Sequence, residues 1–189
     1  MSLLLQISRA LDQLISLIGR TAAWLFLLLI LFIVFDVITR KFGMQIPGYG
    51  STRLQESEWH VHTVIFLIGL SFAYLRDAHV RVDLFRERFS PRTKAWVEMI
   101  GCLIFLMPYA TVVTVEAWDF TMRAWASGEV SAAMTGLPHR WAIKSFLVIG
   151  FVLLFLAGLA MLFNRIVYLF GPLDLREQAA LDRGEGAAH

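Results

Sequence analysis

Four long apolar runs constrain the fold of this chain more than any other feature. They lie approximately at Ala22–Ile38, Trp59–Leu75, Ala95–Trp118 and Ala142–Phe163. Each run approaches the roughly 20 residues that an α-helix needs to cross about 30 Å of hydrocarbon. A segment that crosses lipid must be helical, because a helix satisfies its own backbone hydrogen bonds without water. The runs therefore predict an all-α integral membrane protein with four transmembrane helices.

The composition agrees with a lipid environment. Hydrophobic residues make up 58% of the 189 residues and charged residues 17%, whereas a soluble domain carries about 25% charged residues. All six tryptophans lie at or just beyond the ends of the runs, as an aromatic belt at the headgroups predicts: Trp24, Trp59, Trp96, Trp118, Trp125 and Trp141. The net charge of +2 and the lack of a basic stripe exclude nucleic acid as a partner.

The N-terminal segment has a different pattern. Its polar residues recur at alternating spacings of four and three and form one stripe on a helix: Ser2, Gln6, Arg9, Gln13, Ser16 and Arg20. This pattern predicts an amphipathic helix at the membrane interface or in a groove of a partner helix. The chain then divides into an amphipathic interfacial helix (1–20), a four-helix transmembrane domain (21–170) and a cytoplasmic C-terminal tail (171–189), which we expect to be frayed.

Lysines and arginines predict the orientation of the chain. If the loop between the second and third runs is cytoplasmic, 11 of the 17 lysines and arginines lie inside and 6 lie outside. The positive-inside rule then places both termini in the cytoplasm. This orientation leaves two outer loops, Thr39–Glu58 and Asp119–Trp141, whose glycines and prolines predict irregular structure.

Local signals predict details of the helices. Ser90 followed by Pro91 is typical of an N-cap and a first helical residue, so the third helix should begin there. Pro108 lies within the third run and predicts a kink. Glycines inside the runs are expected to permit close helix packing: Gly69, Gly101, Gly150 and Gly158.

Ionisable residues are scarce within the runs. The carboxylates there are Asp36, Glu98 and Glu116, each within about two turns of a helix end, and His60, His62 and Lys144 lie at the starts of their runs. Transporters place substrate and ion sites near the bilayer midplane, using broken helices and polar side chains. The sequence also lacks a nucleophile with a plausible base, and its single Cys102 excludes a multi-cysteine metal site. We therefore predict neither an enzyme nor a transporter that works alone.

A haem b-binding membrane anchor of a redox complex is an alternative from another class. Such an anchor needs histidines that face each other from two helices. His60 and His62 point to different faces of one helix, while His79 and His139 lie in loops. A stand-alone membrane scaffold is a third interpretation, and both alternatives stay open at this point.

Short motifs from the first run to the fourth form a pattern. The most specific is His79-Val80-Arg81-Val82-Asp83, and the next is Gly128-Glu129-Val130-Ser131. Further elements are Thr39-Arg40-Lys41-Phe42, Glu56, Glu58, Gly69, Ala73, Arg76, Pro91, Pro138, Trp141 and Ile149-Gly150. Together they resemble the small membrane subunit (DctQ-type) of tripartite ATP-independent periplasmic (TRAP) transporters. The chain departs from that family at Val148-Ile149-Gly150, where members often carry a proline before the glycine, and in its longer first outer loop.

The resemblance implies a small permease subunit of the bacterial cell inner membrane that takes part in carboxylate uptake. In this family a large multi-span transport subunit binds an organic acid and sodium ions and moves as an elevator. A periplasmic substrate-binding protein delivers the substrate, and the small subunit braces the large one within the lipid bilayer. The resemblance thus implies sodium symport, with the sodium ions in the partner large subunit and no cofactor in this chain.

Nine residues are candidates for organising loops or contacting partners: Arg40, Glu56, Glu58, Trp59, Arg76, His79, Asp83, Glu129 and Ser131. The first four are expected near the outer surface, where they fix the first loop or touch the binding protein. Arg76, His79 and Asp83 are expected to organise the inner loop. Glu129 and Ser131 are expected to dock the binding protein or to cap the fourth helix. For each set, a role in local folding is favoured over direct partner contact.

Overall fold

The computed structural model describes residues 1–44, 50–78 and 89–183. Their regular structure is helical throughout: α1 (Ser2–Ala23), α2 (Leu25–Lys41), α3 (Ser51–Leu75), α4 (Pro91–Gly101), a π-helical turn (Cys102–Leu106), α5 (Met107–Ala126), α6 (Arg140–Phe170) and α7 (Leu173–Leu181). Four stretches are long and apolar enough to cross a membrane: Ser2–Lys41, Ser51–Leu75, Pro91–Ala126 and Arg140–Phe170. The predicted all-α fold with four spanning helices is therefore confirmed.

Helix α1 is amphipathic, but its polar residues do not all face away from the protein. Ser16, which belongs to the predicted polar stripe, is 4% exposed, and Ser8 is 3% exposed. Ser8 Oγ donates a hydrogen bond to the Ala160 carbonyl at 2.7 Å. Leu5 packs with the buried Val167 and Ala179. One edge of α1 is thus a packing face on its own chain, while the interfacial placement stays a prediction.

Helix α3 begins earlier than the apolar run from which it was predicted. The run starts at Trp59, whereas the helix starts at Ser51. The prediction of irregular structure across Thr39–Glu58 is therefore wrong for residues 51–58, and also for residues 39–41, which belong to α2. The same prediction for Asp119–Trp141 is wrong for residues 119–126 and 140–141, which belong to α5 and α6. The backbone N–H groups of Arg53 and Leu54 both donate to the Gly50 carbonyl. Hydropathy marks the part of a helix that lipid covers, and polar turns can extend a helix beyond it.

The third spanning stretch contains a π-helical turn. Ser90 caps α4 as predicted, because its Oγ accepts a hydrogen bond from the Thr93 N–H at 3.2 Å and Pro91 occupies the first turn. The π turn at Cys102–Leu106 lies directly before the helical turn that holds Pro108. Proline has no N–H to donate to the carbonyl four residues earlier. In a π turn the backbone hydrogen bonds join residues five apart instead of four, which changes the pairing next to the proline.

Helix α6 is the most enclosed of the spanning stretches. In its most apolar window half of the residues are buried, compared with 17% for Ser2–Lys41 and 11% for Pro91–Ala126. Buried residues recur along its C-terminal half: Ala157, Ala160, Met161, Leu162, Asn164, Arg165 and Val167. Helix α6 therefore buries a larger share of its most apolar window than the other spans do.

The tail after Pro172 is helical, so the prediction that it is frayed is wrong for residues 173–181. Helix α7 packs through the fully buried Ala179, whose carbonyl accepts a hydrogen bond from Asn164 Nδ2 at 3.2 Å. Arg176 donates to the carbonyls of Leu169 and Gly171 at 3.2 and 2.6 Å. The bond to Leu169 satisfies one of the last carbonyls of α6, which have no partner within their own helix.

The chain forms two compact units. The first unit comprises Met1–Ser16, Ser71–Thr111 and Val152–His189, and the second comprises Leu17–Leu70 and Val112–Phe151.

Within each unit a glycine allows α6 to pack closely on another part of the chain. A Cβ on Gly158 would lie 3.2 Å from Leu106 and 3.3 Å from Cys102, and a Cβ on Gly150 would lie 2.8 Å from Leu67. Gly69 and Gly101 meet no atom within 4 Å in the described chain, so the packing prediction is wrong for them there.

Candidate functional site

The Glu56 cluster (Glu56, Trp59, Ser131, Leu137 and Arg140) ties the first turns of α3 to the segment before α6 in the second unit. Glu56 is 8% exposed. Its Oε1 accepts a hydrogen bond from the Ser131 hydroxyl, and its Oε2 accepts one from the Leu137 backbone N–H. Arg140 lies 3.9 Å from Glu56 Oε1 and places its guanidinium 5.0 Å from the centroid of the Trp59 ring. Three predicted site residues thus meet in one cluster.

The segment at residues 127–139 takes its shape from this carboxylate. The Ser131 N–H donates to the Leu137 carbonyl at 3.2 Å, which closes the loop around Glu56. Arg53 of α3 donates to the Thr135 carbonyl at 3.1 Å. A Cβ at Gly136 would collide with Ser131 and Glu56, so the loop can approach the carboxylate only with glycine there.

Glu129 forms an ion pair with Lys144 in the first turns of α6. The Lys144 ammonium also lies 3.7 Å from the centroid of the Phe120 ring, within the range of a cation–π contact. The Glu129 carbonyl accepts a hydrogen bond from the Arg140 N–H at 3.1 Å. Docking of the binding protein and capping of the fourth span were the two roles predicted for Glu129, and this geometry agrees with the cap. The Glu129 side chain is still 35% exposed.

Arg40 pairs with a carboxylate on its own helix. Its Nε lies 2.8 Å from Asp36 Oδ2, one turn earlier on α2, and Asp36 is 5% exposed. Glu58 of α3 interacts electrostatically with both residues. The second oxygen of Asp36 and one oxygen of Glu58 are buried without a hydrogen-bond partner in the described chain. Arg40 and Glu58 are thus brought together around Asp36, apart from Glu56 and Trp59.

The Asp12 cluster (Asp12, Ser16, Arg76 and Arg183) lies in the first unit. Arg76, directly after α3, donates to Ser16 Oγ and to Asp12 Oδ2, the latter at 3.3 Å. Arg183 lies 4.0 Å from Asp12 Oδ1 and donates to the Leu75 carbonyl at 3.0 Å. Burial lowers the pKa of Arg183 below its ordinary value, and the Asp12 carboxylate partly offsets this by favouring the charged form.

The role in organising the inner loop that was predicted for three residues can be examined for only one of them. Arg76 organises contacts between α1 and the end of α3, whereas His79 and Asp83 lie outside the described residues.

A buried ion pair was missed by the sequence analysis. Arg165 of α6 is 0% exposed, and its Nε and one terminal nitrogen each lie 2.7 Å from Glu98 Oε2. Glu98 had been recognised as a charge within a span, but Arg165 was only counted toward orientation. A carboxylate inside a span needs a cationic partner, and an arginine near the end of another span was the signal available.

Comparison with protein families identifies one match. The family described as "Tripartite ATP-independent periplasmic transporters, DctQ component" matches residues 16–167. Searches of curated proteins and of solved structures found no match. The matched range contains the whole Glu56 cluster and the Glu98–Arg165 pair, whereas Asp12 precedes it and Arg183 follows it.

Proposed function

This chain belongs to the DctQ component family of tripartite ATP-independent periplasmic transporters, and we propose that it braces the large membrane subunit of a sodium-coupled transporter for organic acids. The chain is the small membrane component of a tripartite ATP-independent periplasmic transporter. Under the proposal the large subunit binds the substrate and sodium ions, and a periplasmic binding protein delivers the substrate. This chain then supplies no catalytic group and no cofactor.

One observation supports the bracing role above the others. Apolar residues cover long exposed faces of two spanning stretches. On α2 ten of them are at least 41% exposed: Phe26, Leu27, Leu28, Ile30, Leu31, Ile33, Val34, Phe35, Val37 and Ile38. The π turn and α5 carry a second set: Leu103, Ile104, Phe105, Tyr109, Val112, Val115 and Trp118. Within a membrane such faces are covered by lipid or by another protein. They are wide apolar surfaces on which a large subunit can pack.

The charges within the spans agree with a supporting role. Asp36 is engaged by Arg40 and Glu98 by Arg165. A carboxylate that serves as an ion or proton site has to exchange its partner during transport, which the buried Arg165 hinders for Glu98. The partner of Asp36, Arg40, is 48% exposed. We therefore assign conduction to the large subunit.

The positive-inside rule places the Glu56 cluster and the Glu129–Lys144 pair on the periplasmic side, with both termini in the bacterial cytoplasm. The binding protein would dock on that side. The Glu56 carboxylate is occupied by its own loop, so Glu129 and the half-exposed Arg40 are the better candidates for contact.

Co-purification with reconstitution tests the proposal. The tagged chain, expressed with its large subunit, is expected to retain that subunit in detergent. Liposomes that contain both subunits and receive the binding protein should accumulate an organic acid when a sodium gradient is applied, and removal of the small chain should abolish accumulation. Sodium-driven accumulation by the small chain alone would overturn the proposal.

Reversal of Glu129 separates docking from local folding. We expect Glu129→Lys to weaken uptake more than co-purification of the large subunit, because it places two lysine ammonium groups side by side near the docking surface. The matched control is the swapped pair Glu129→Lys with Lys144→Glu, which restores the local ion pair. Uptake that stays low in the swapped pair indicates docking, whereas full recovery indicates that the pair only organises α6.

The haem-anchor alternative gains no support from the described histidines. The His60 Nδ1 contacts the Glu56 carbonyl, and its ring lies 4.1 Å from that of Trp59. A visible absorption spectrum of the purified chain without a haem band would remove this alternative. Retention of the large subunit would likewise remove the stand-alone scaffold.

A further inference from the structure

A half-enclosed polar cavity of about 180 Å³ lies in the first unit. Residues of α1, α6 and the end of the described chain contribute to its wall: Ser8, Arg9, Asp12, Asn164, Asp182 and Arg183. The cavity is partly open, and the side chains of Arg9 and Asp182 in its wall are 41% and 30% exposed. Its volume corresponds to about six waters at roughly 30 Å³ each, enough for a small polar group.

Two buried polar atoms of this wall lack a partner in the described chain. Asn164 is 1% exposed, and its Nδ2 donates to the Ala179 carbonyl, which leaves Oδ1 as an acceptor without a donor. The Arg183 side chain is 7% exposed, and its Nε has no acceptor although a terminal nitrogen donates to the Leu75 carbonyl. An unsatisfied buried polar atom is destabilising. An occupant that satisfies both must bring a donor and an acceptor.

The charges around the cavity are balanced. Arg9 and Arg183 provide two positive groups, and Asp12 and Asp182 provide two negative groups. A simple anion or cation would therefore meet repulsion as well as attraction in this wall. A small zwitterion with an anionic oxygen and an N–H donor matches both the balance and the two unpartnered atoms.

The surroundings favour a lipid as the source of that zwitterion. Asn164 lies six residues, or about 9 Å, before the end of α6 at Phe170, which is a depth near the edge of the hydrocarbon. The cavity borders α1, whose Leu3, Ile7 and Leu14 are exposed. Acyl chains could therefore run along apolar surface while the headgroup enters the cavity.

We propose that this cavity binds the headgroup of a phospholipid that carries a phosphate and a primary ammonium. The phosphate accepts a hydrogen bond from Arg183 Nε, and the ammonium donates one to Asn164 Oδ1. Such a lipid connects α1 with α6 and the residues after α7, so it stabilises the packing of the two chain ends. The proposal does not depend on the transport function.

Native mass spectrometry of the full chain, stripped of lipid in detergent, tests the proposal. The probes are phosphatidylethanolamine, phosphatidylcholine and phosphatidylglycerol with identical acyl chains. We expect phosphatidylethanolamine to bind about tenfold more tightly than the other two, which is the affinity difference expected for one charge-assisted hydrogen bond. The trimethylammonium of phosphatidylcholine has no N–H, and phosphatidylglycerol has no ammonium.

Variants locate the site. Arg183→Lys keeps the charge but removes the Nε donor, and Asn164→Leu removes the acceptor at similar volume. Each should reduce the affinity for phosphatidylethanolamine about tenfold. Arg176→Lys is the matched control, because Arg176 contacts the carbonyls of Leu169 and Gly171 and does not line the cavity. Circular dichroism checks that each variant is folded. If Asn164→Leu does not fold, Arg183→Lys alone is sufficient to test the site.

Three results would overturn the proposal. Equal binding of the three lipids would indicate unspecific lipid at the surface. Unchanged selectivity in Arg183→Lys would place the lipid elsewhere. Binding of free phosphoethanolamine as tight as that of the whole lipid would assign the cavity to a soluble zwitterion.

Discussion

The Glu56 cluster and the Asp12 cluster both hold a carboxylate against partners that are distant in the sequence, but the donors differ. The Glu56 side chain is 11% exposed, and a hydroxyl and a backbone N–H donate to it. The Asp12 side chain is 28% exposed and pairs with the guanidinium of Arg76, which is 42% exposed. Exposed ion pairs are weak and screened by salt, whereas a buried donor left unsatisfied is costly. Formal charge is thus a poor measure of which cluster stabilises the fold.

The Arg165–Glu98 pair sharpens this comparison. It lies in the same unit as the Asp12 cluster and uses the same kinds of charged group, but the Arg165 side chain is 0% exposed. Burial, and not the chemistry of the partners, therefore decides how much stability is lost when one partner of a pair is removed. Four substitutions rank these sites.

The largest effect is expected for Arg165→Met. It leaves the Glu98 carboxylate without this partner, and breaking a buried pair costs about 3–5 kcal/mol. Heating the purified chain in detergent, with circular dichroism as the readout, should show a large fall in melting temperature. The double variant Arg165→Met with Glu98→Leu should recover most of the loss. A single variant as stable as the parent would contradict the assigned role of burial.

Glu56→Ala is expected to rank second. The substitution leaves the Ser131 hydroxyl and the Leu137 N–H without their acceptor. The free energy of unfolding should fall by roughly 1–3 kcal/mol for each of these groups that stays buried. Proteolysis at residues 127–139 should become faster than in the parent, because the loop loses its anchor. Ser131→Ala, which removes one donor, is the control and should have a smaller effect. If high salt restores the protease resistance of Glu56→Ala, the hydrogen bonds to the carboxylate are not what holds the loop.

Gly136→Ala should destabilise the same loop by about 1–3 kcal/mol, because the added methyl group collides with Ser131 and Glu56. Gly69→Ala is the matched control, since its Cβ meets open space in the described chain. That control should be neutral or slightly stabilising, as alanine is the better helix former. Equal melting temperatures for the two variants would argue against close packing of the loop on Glu56.

The smallest effect is expected for Arg76→Gln. Its ion pair with Asp12 is partly exposed, so the loss should stay below about 1 kcal/mol at low salt. At 1 M salt, where the screening length is about 3 Å, parent and variant should melt together. A loss that persists in high salt would show that the hydrogen bond to Ser16, and not the charge, holds α1 to the end of α3.

Local features of the fold, and some residues of the candidate site, could be predicted from the sequence. The Ser90 cap was predicted from Ser90 followed by Pro91, and its hydrogen-bond partner, Thr93, lies only three residues away. Glu56, Ser131 and Arg76 were recognised through motifs, but not the groups they bind. Glu56 and Leu137 are 81 residues apart, and Arg165 and Glu98 are 67 apart. No local pattern specifies such pairs.

The sequence by itself determined the number of spans, the helical class and the family, because lipid requires long apolar helices and short motifs persist in order along the chain. Only the tertiary structure decided that α3 starts at Ser51, that the tail forms α7 and that Arg165 meets Glu98. Those outcomes depend on which surfaces come together, and polar groups removed from water choose their partners by proximity in space.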